Sequence, residues 1–163
     1  FDFLLGLYLS VFRRDKWIKN LGVVNKKNLL KPGTFSTFEN TCPHVKIFSK
    51  AFAKSKAYIC SEGLSVNLSG RREWSNLYSF IESIRIPEAL DYYFKFGLPV
   101  KKYFFCKNSS LKNFLPALIK ILIFGKKSGS NYIKINTHII RNMIFPNFYL
   151  SPFIYLIRKI ILK

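Results

Sequence analysis

The sequence predicts a fold that mixes strand and helix, an α+β class, and three stretches carry that expectation. Between Gly63 and Gly70, Leu64, Val66 and Leu68 alternate with Ser65, Asn67 and Ser69, which is the period of a half-buried strand. After the basic turn at Arg71 and Arg72, Trp74, Leu77, Tyr78, Ile81 and Ile84 fall at three-and-four spacing and line one face of a helix. Trp17 to Val24 reads as another strand, running into a turn at Gly22.

Taken in order, Phe1 to Phe12 is apolar, with Leu4, Leu5, Tyr8, Leu9 and Phe12 at helix spacing, and is expected to be a packing helix. Pro32 and Gly33 are breakers, and a helix start capped at Ser36 or Thr37 is expected after them. Pro87 should close the helix that begins near Trp74, because it lacks an N–H and disfavours the α region for the residue before it. Residues 99–127 are a basic helical segment: Leu111, Phe114, Leu115, Leu118, Ile119 and Leu122 make the stripe, broken by Pro116, and Lys101, Lys102, Lys107, Lys112, Lys120, Lys126 and Lys127 supply the charge. Ser128-Gly129-Ser130 is a flexible turn where backbone N–H groups can approach a phosphate. Asn147 to Lys163 leave room for one element, a final strand or a short helix from Phe153.

The 163 residues suit one domain with its own core. With 27 Lys plus Arg against 8 Asp plus Glu, the formal charge is +19, a self-repulsion that calls for a polyanionic partner, either nucleic acid or an anionic membrane. Aromatic residues are 17% of the chain, which suits a packed body with stacking surfaces and not a disordered basic tail. Cys42, Cys60 and Cys106 form no Cys-x-x-Cys pair, so a reducing compartment and no disulfide framework are expected. Cys42-Pro43-His44 has no second ligand pair at zinc spacing, so no metal is expected. His44 and His138 lack a nucleophile or carboxylate pattern, and there is no glycine-rich phosphate loop. An enzyme, a cofactor and a small-molecule substrate are therefore not expected. No window reaches the ~18 uncharged apolar residues of a membrane span. The chain opens on Phe1 instead of Met, as a processed product would.

Four stretches together resemble one family, the universal large-subunit ribosomal protein five, which carries 5S rRNA. Asn20-Leu-Gly-Val-Val24 with Lys26-Lys-Asn-Leu-Leu30 is similar to the family's Asn-Met-Gly-Val-Gly followed by Lys-Lys-Leu-Leu. Ser49-Lys-Ala51 and Lys54-Ser55 resemble Thr-Lys-Ala-x-Lys-Ser. Gly63, Val66, Leu68, Gly70, Pro87 and Asp91 match the signature Gly-x-x-Val-Thr-Leu-Arg-Gly, helix, Leu-Pro-Arg-x-Arg-Asp-Phe, with Asn67 for Thr and Ser69 for Arg. Ser128-Gly-Ser-Asn-Tyr132 and Met143-Ile-Phe-Pro146 resemble Gly-Arg-Gly-Asn-Tyr and Ile-Ile-Phe-Pro.

The resemblance implies a curved, mostly antiparallel sheet with helices packed on one face, residues 1–163 as one ribosomal-protein domain, 99–127 as a lineage-specific insertion, and shortened C-terminal elements. It implies a structural constituent of the large ribosomal subunit that binds 5S rRNA and large-subunit rRNA in the central protuberance. Its other neighbours would be P-site tRNA, adjacent ribosomal proteins and the small-subunit head. The RNA-binding positions it carries over are Asn20, His44, Lys50, Lys54, Ser55, Lys56, Asn67, Asn131 and Tyr132. Lys46, within the lysine run, and Arg71 and Arg72, at the basic turn, join them as phosphate contacts. The Lys-, Asn-, Phe- and Ile-rich composition of an AT-biased gene points to a mitochondrial ribosome in the matrix, with a plastid as the alternative. The rival from another class is a basic membrane-peripheral assembly subunit of the mitochondrial inner membrane.

Overall fold

The computed structural model describes residues 12–33, 35–56 and 75–161. Among them every regular element is helical, so the expected α+β fold with a curved antiparallel sheet is corrected to an all-α arrangement. The expected strand at Gly63–Gly70 and the residues from Arg71 to Trp74 lie outside the described residues, as does nearly all of the Phe1 to Phe12 helix. The expected strand from Trp17 to Val24 is helix α1, Arg14–Lys19, followed by a 3-10 turn, Leu21–Val23. The physical reason is electrostatic and local: Asp15 lies in the first turn and Lys16 and Lys19 in the last, which is the sense that complements the helix dipole.

Short capped helices follow. Helix α2, Lys26–Leu29, is capped by Asn25, whose side chain accepts from the N–H groups of Lys27 and Asn28 at 3.0 and 3.3 Å. Helix α3, Phe38–Thr41, starts on Thr37 in a reciprocal capping box with Asn40, one of the two positions the sequence offers. Asn40 also donates to the Gly33 carbonyl at 3.0 Å and to the Ser36 hydroxyl at 2.9 Å, which closes the loop around Pro32 and Gly33. Helix α4, Pro43–Ala51, has its proline in the first turn, where a missing N–H costs nothing.

The long helical run α5 covers 78–95 as Tyr78–Phe80, a π-helical turn Ile81–Arg85 and Ile86–Lys95. Pro87 does not end it. The wider i→i+5 register just before the ring accommodates the absent donor, and the helix continues for two more turns. Helices α6, Val100–Ser110, and α7, Phe114–Phe124, come next, with Pro116 again in a first turn. Tight turns through Asn142 then lead to α8, Pro146–Ile161.

Helix α5 lies between two cores. Phe80 and Ile84 join Leu111, Phe114, Leu118, Ile121, Phe145 and Phe148 in the larger, and Ala89 joins Phe38, Cys42 and Val45 in the smaller. Half of the larger core comes from 99–127, so that segment is part of the body's interior.

Helix α8 carries Pro152 in its interior, which leaves the Phe148 carbonyl without its usual helical donor. The Ser151 hydroxyl donates to that carbonyl at 2.9 Å and accepts from the N–H of Leu115, in the first turn of α7, at 3.1 Å. Ser151 is fully buried, so its one oxygen serves a proline gap in one helix and an orphan donor in another. Ser151→Ala is expected to lower stability by about 2 kcal/mol, since both backbone groups are left unpaired in a dry contact. A urea titration followed by circular dichroism reads this, and a midpoint equal to wild type would contradict it.

Candidate nucleic-acid interface

Exposed cations of α1 and of the end of α4 flank the contact between these two helices. Beneath them lies a floor of rings: Phe12, Trp17, Phe48 and Phe52 meet at centroid distances of 4.8 Å (Phe12–Trp17), 5.0 Å (Phe12–Phe48), 5.2 Å (Trp17–Phe48) and 5.4 Å (Phe48–Phe52). Arg13, Arg14 and Lys19 from α1 and its start are exposed, as are Lys50, Lys54, Ser55 and Lys56 at and beyond the end of α4. Lys16 ties the two together, donating to the Ser55 hydroxyl at 3.2 Å and sitting 5.8 Å from the Phe52 ring centroid. Among the described residues the carboxylate at this corner is Asp15, which is bonded by Arg13 at 2.7 and 3.1 Å, and that guanidinium holds its carboxyl below the ordinary range. What remains is a set of exposed cations beside an aromatic cluster, an arrangement suited to tracking a phosphate backbone.

The other expected positions are placed differently. Asn20 is half-buried and donates to the Lys16 carbonyl at 2.8 Å, closing the end of α1. Lys46 is turned inward: it bonds the Glu39 carboxylate and lies 4.4 Å from the Tyr92 ring centroid. Burial alone would lower the Lys46 pKa, but the Glu39 carboxylate and Tyr92 outweigh it and the net shift is upward. His44 is half-buried in the first turn of α4. Tyr132 packs its ring on Phe80 at 6.1 Å, while Asn131 beside it is exposed. Gly129 and Ser128, expected to approach a phosphate, are buried instead, with Gly129 against Phe80 and Leu77. Asn67, Arg71 and Arg72 lie outside the described residues. Lys50, Lys54, Ser55 and Lys56 are thus brought together, joined by Arg13, Arg14, Lys16 and Lys19, which the sequence reading passed over. Their signal was present: an Arg pair next to Trp17, with Arg13 and Lys16 at helix spacing.

A second polar cluster lies in the interior. Glu88 accepts from Arg85 Nη1 at 2.5 Å and lies 3.1 Å from His138 Nε2 through its other oxygen. His138 Nδ1 accepts from the Lys134 N–H at 2.9 Å, so in the neutral ring the proton sits on Nε2 and is donated to Glu88. Arg85 also donates to the Phe35 carbonyl at 2.7 Å and stacks over Phe80 at 4.8 Å. Burial raises the Glu88 pKa, but the His138 hydrogen bond and the Arg85 charge together hold the carboxyl below its ordinary range. The nearby Cys42 thiol is pushed up to about 12 by burial and is chemically quiet. Asp91, one helical turn on, accepts from Lys107 at 2.6 Å and Tyr103 at 2.8 Å through one oxygen. Lys107 also donates to the Pro87 carbonyl at 2.7 Å, and its burial lowers the ammonium pKa against the pull of Asp91. These are clamps between α5, α6 and the 133–142 turns. They present no nucleophile and no group of three metal-ligating side chains among the described residues.

No protein-family model, no curated protein and no solved structure matches the chain.

Proposed function

We propose that the protein is a structural constituent of a large ribosomal subunit, in a mitochondrial ribosome, binding 5S rRNA and large-subunit rRNA in the central protuberance, close to P-site tRNA and the small-subunit head. The observation that carries this reading is the α1–α4 corner, where exposed cations stand on an aromatic floor in a chain of formal charge +19. The order of the four motif stretches along the chain supports it, and the family's sheet plays no part in the argument. Binding would come from neutralising phosphates, which releases condensed counterions, while ring and amide groups set the register on folded RNA.

Crosslinking the protein to RNA in native large subunits and sequencing the attached fragments tests the proposal directly. Reads concentrated on 5S rRNA and its neighbouring large-rRNA helix are the expected result, and recovery of no rRNA would refute it. A narrower test uses Lys50→Gln, Lys54→Gln and Lys56→Gln together. Loss of three phosphate contacts should flatten the slope of log affinity against log salt by about 2–3, and weaken binding about 10- to 100-fold at physiological salt. An unchanged slope would remove these lysines from the interface.

A further inference from the structure

Helix α8 wears its apolar face on the outside. Its buried side is narrow, formed by Phe148 and Ser151. Leu150, Phe153, Leu156, Ile157, Ile160 and Ile161 are all exposed, Phe153 at 65% and Ile160 at 75%. At about 100° per residue these six fall within an arc of about 140°, which excludes Phe148, Ser151, Arg158 and Lys159. A helix that packs on a core normally hides such a stripe, whereas here the stripe is exposed together with Arg158 and Lys159. Helix α7, which packs on α8, adds exposed Leu122 and Ile123 beside Lys120.

Charge decides what can cover the stripe. The sequence has no Asp or Glu after Asp91, while Lys and Arg recur to its last residue. A second copy would bring the same uncompensated cations to the contact, so self-association through this face is opposed by like-charge repulsion. RNA would satisfy the cations but leave the aliphatic side chains in water. An anionic bilayer surface does both: the stripe enters the boundary between headgroups and acyl chains, and the basic side chains reach the phosphates. No described helix is long and apolar enough to cross a membrane, so the mode is lying on the surface. We propose that α8, with the adjoining face of α7, is a docking surface for an anionic lipid bilayer, which would hold the protein and any RNA bound to its α1–α4 corner against a membrane. This surface is independent of the ribosomal reading.

The test is flotation of the nuclease-treated, full-length chain with phosphatidylcholine vesicles, with or without phosphatidylglycerol. Wild type is expected to float with the anionic vesicles and to remain behind with the neutral ones. The variant Phe153→Ser, Ile157→Ser, Ile160→Ser changes only exposed side chains, which a retained helical circular dichroism spectrum would verify, and should lose about 100-fold or more in partitioning. Arg158→Gln with Lys159→Gln should lose about 10-fold. The proposal is overturned if wild type does not float with anionic vesicles, or if the serine variant floats as well as wild type. It is equally overturned if wild type sediments as a dimer that the serine substitutions dissolve, since the stripe would then belong to a second copy.

Discussion

Replacing Glu88 by Ala should cost about 3–5 kcal/mol of folding stability, the range found when one partner is removed from a buried ion pair. Arg85 is 2% exposed, and Glu88 is the carboxylate that faces it. Without that carboxylate a guanidinium stays in the interior, held by one backbone carbonyl and the face of Phe80, and the His138 Nε2–H loses its acceptor. Three separate segments meet there, the 35–37 loop, α5 and the 133–142 turns, so the loss should appear as a lower denaturation midpoint for the whole body. Glu88→Gln keeps the volume and one acceptor oxygen and should cost about half as much. The pH dependence follows with a definite sign. The Glu88 carboxyl is held below its free value of 4.5 in the folded protein. Its stabilisation is therefore complete above that value and is lost as pH falls through the folded pKa. Wild type should show a steeper acid limb than Glu88→Gln, and parallel limbs would show that the carboxylate is not the group being titrated.

The second large effect is expected at Gly129. This residue has φ +84, and an added Cβ would lie 3.0 Å from Phe80 Cγ and 3.2 Å from Leu77 Cδ2. Gly129→Ala therefore combines left-handed strain of about 1–2 kcal/mol with displacement of a fully buried ring, another 1–2 kcal/mol or so, for a total of about 2–4 kcal/mol. The ring is also the surface on which the Arg85 guanidinium rests, so a shift there is felt by the Glu88 cluster. Gly97→Ala separates the two parts: Gly97 has φ +111 but nothing within 4 Å of an added Cβ. It should show the backbone cost alone. Equal losses at the two positions, read by thermal denaturation, would mean that Phe80 yields freely and that the contact with Gly129 carries no weight.

Local patterns were legible where one interaction decides the outcome. Thr37 caps α3 because a hydroxyl three residues before an amide side chain can form the reciprocal box, and the apolar repeat at Leu111, Phe114 and Leu118 does face the core. What the pattern could not convey was which surface the remaining apolar residues meet: Ile119 and Leu122 continue the same repeat yet are exposed. Trp17 to Val24 was misread because a short run with Trp and two Val satisfies strand propensity, whereas the charge order of Asp15 and Lys19 favours helix. Pro87 misled because its helix-ending effect presumes a regular α register before it, and the π turn at Ile81–Arg85 changes that register. At the α1–α4 corner, Lys50, Lys54 and Lys56 were readable as exposed charge, but Lys46 was not separable from them by spacing. The signal that distinguishes it lies at Glu39: in so basic a chain each acid is valuable to the interior, and one set a helix earlier than a lysine run claims a member of that run.

Every carboxylate among the described residues is already held: Asp15 by Arg13, Glu39 by Lys46, Glu82 by Asn113, Glu88 by Arg85 and His138, and Asp91 by Lys107 and Tyr103. Four of these five already face a cation and Glu82 meets only a neutral amide, so the described carboxylates leave most exterior lysines to small anions from solution or to a bound polymer. The purified protein should be most soluble at low ionic strength, where the mutual repulsion of chains of charge +19 is least screened, and should associate through its apolar stripe as salt is added. Mixed with polyanions near charge balance, it should condense into droplets or precipitate, and redissolve when either component is in excess.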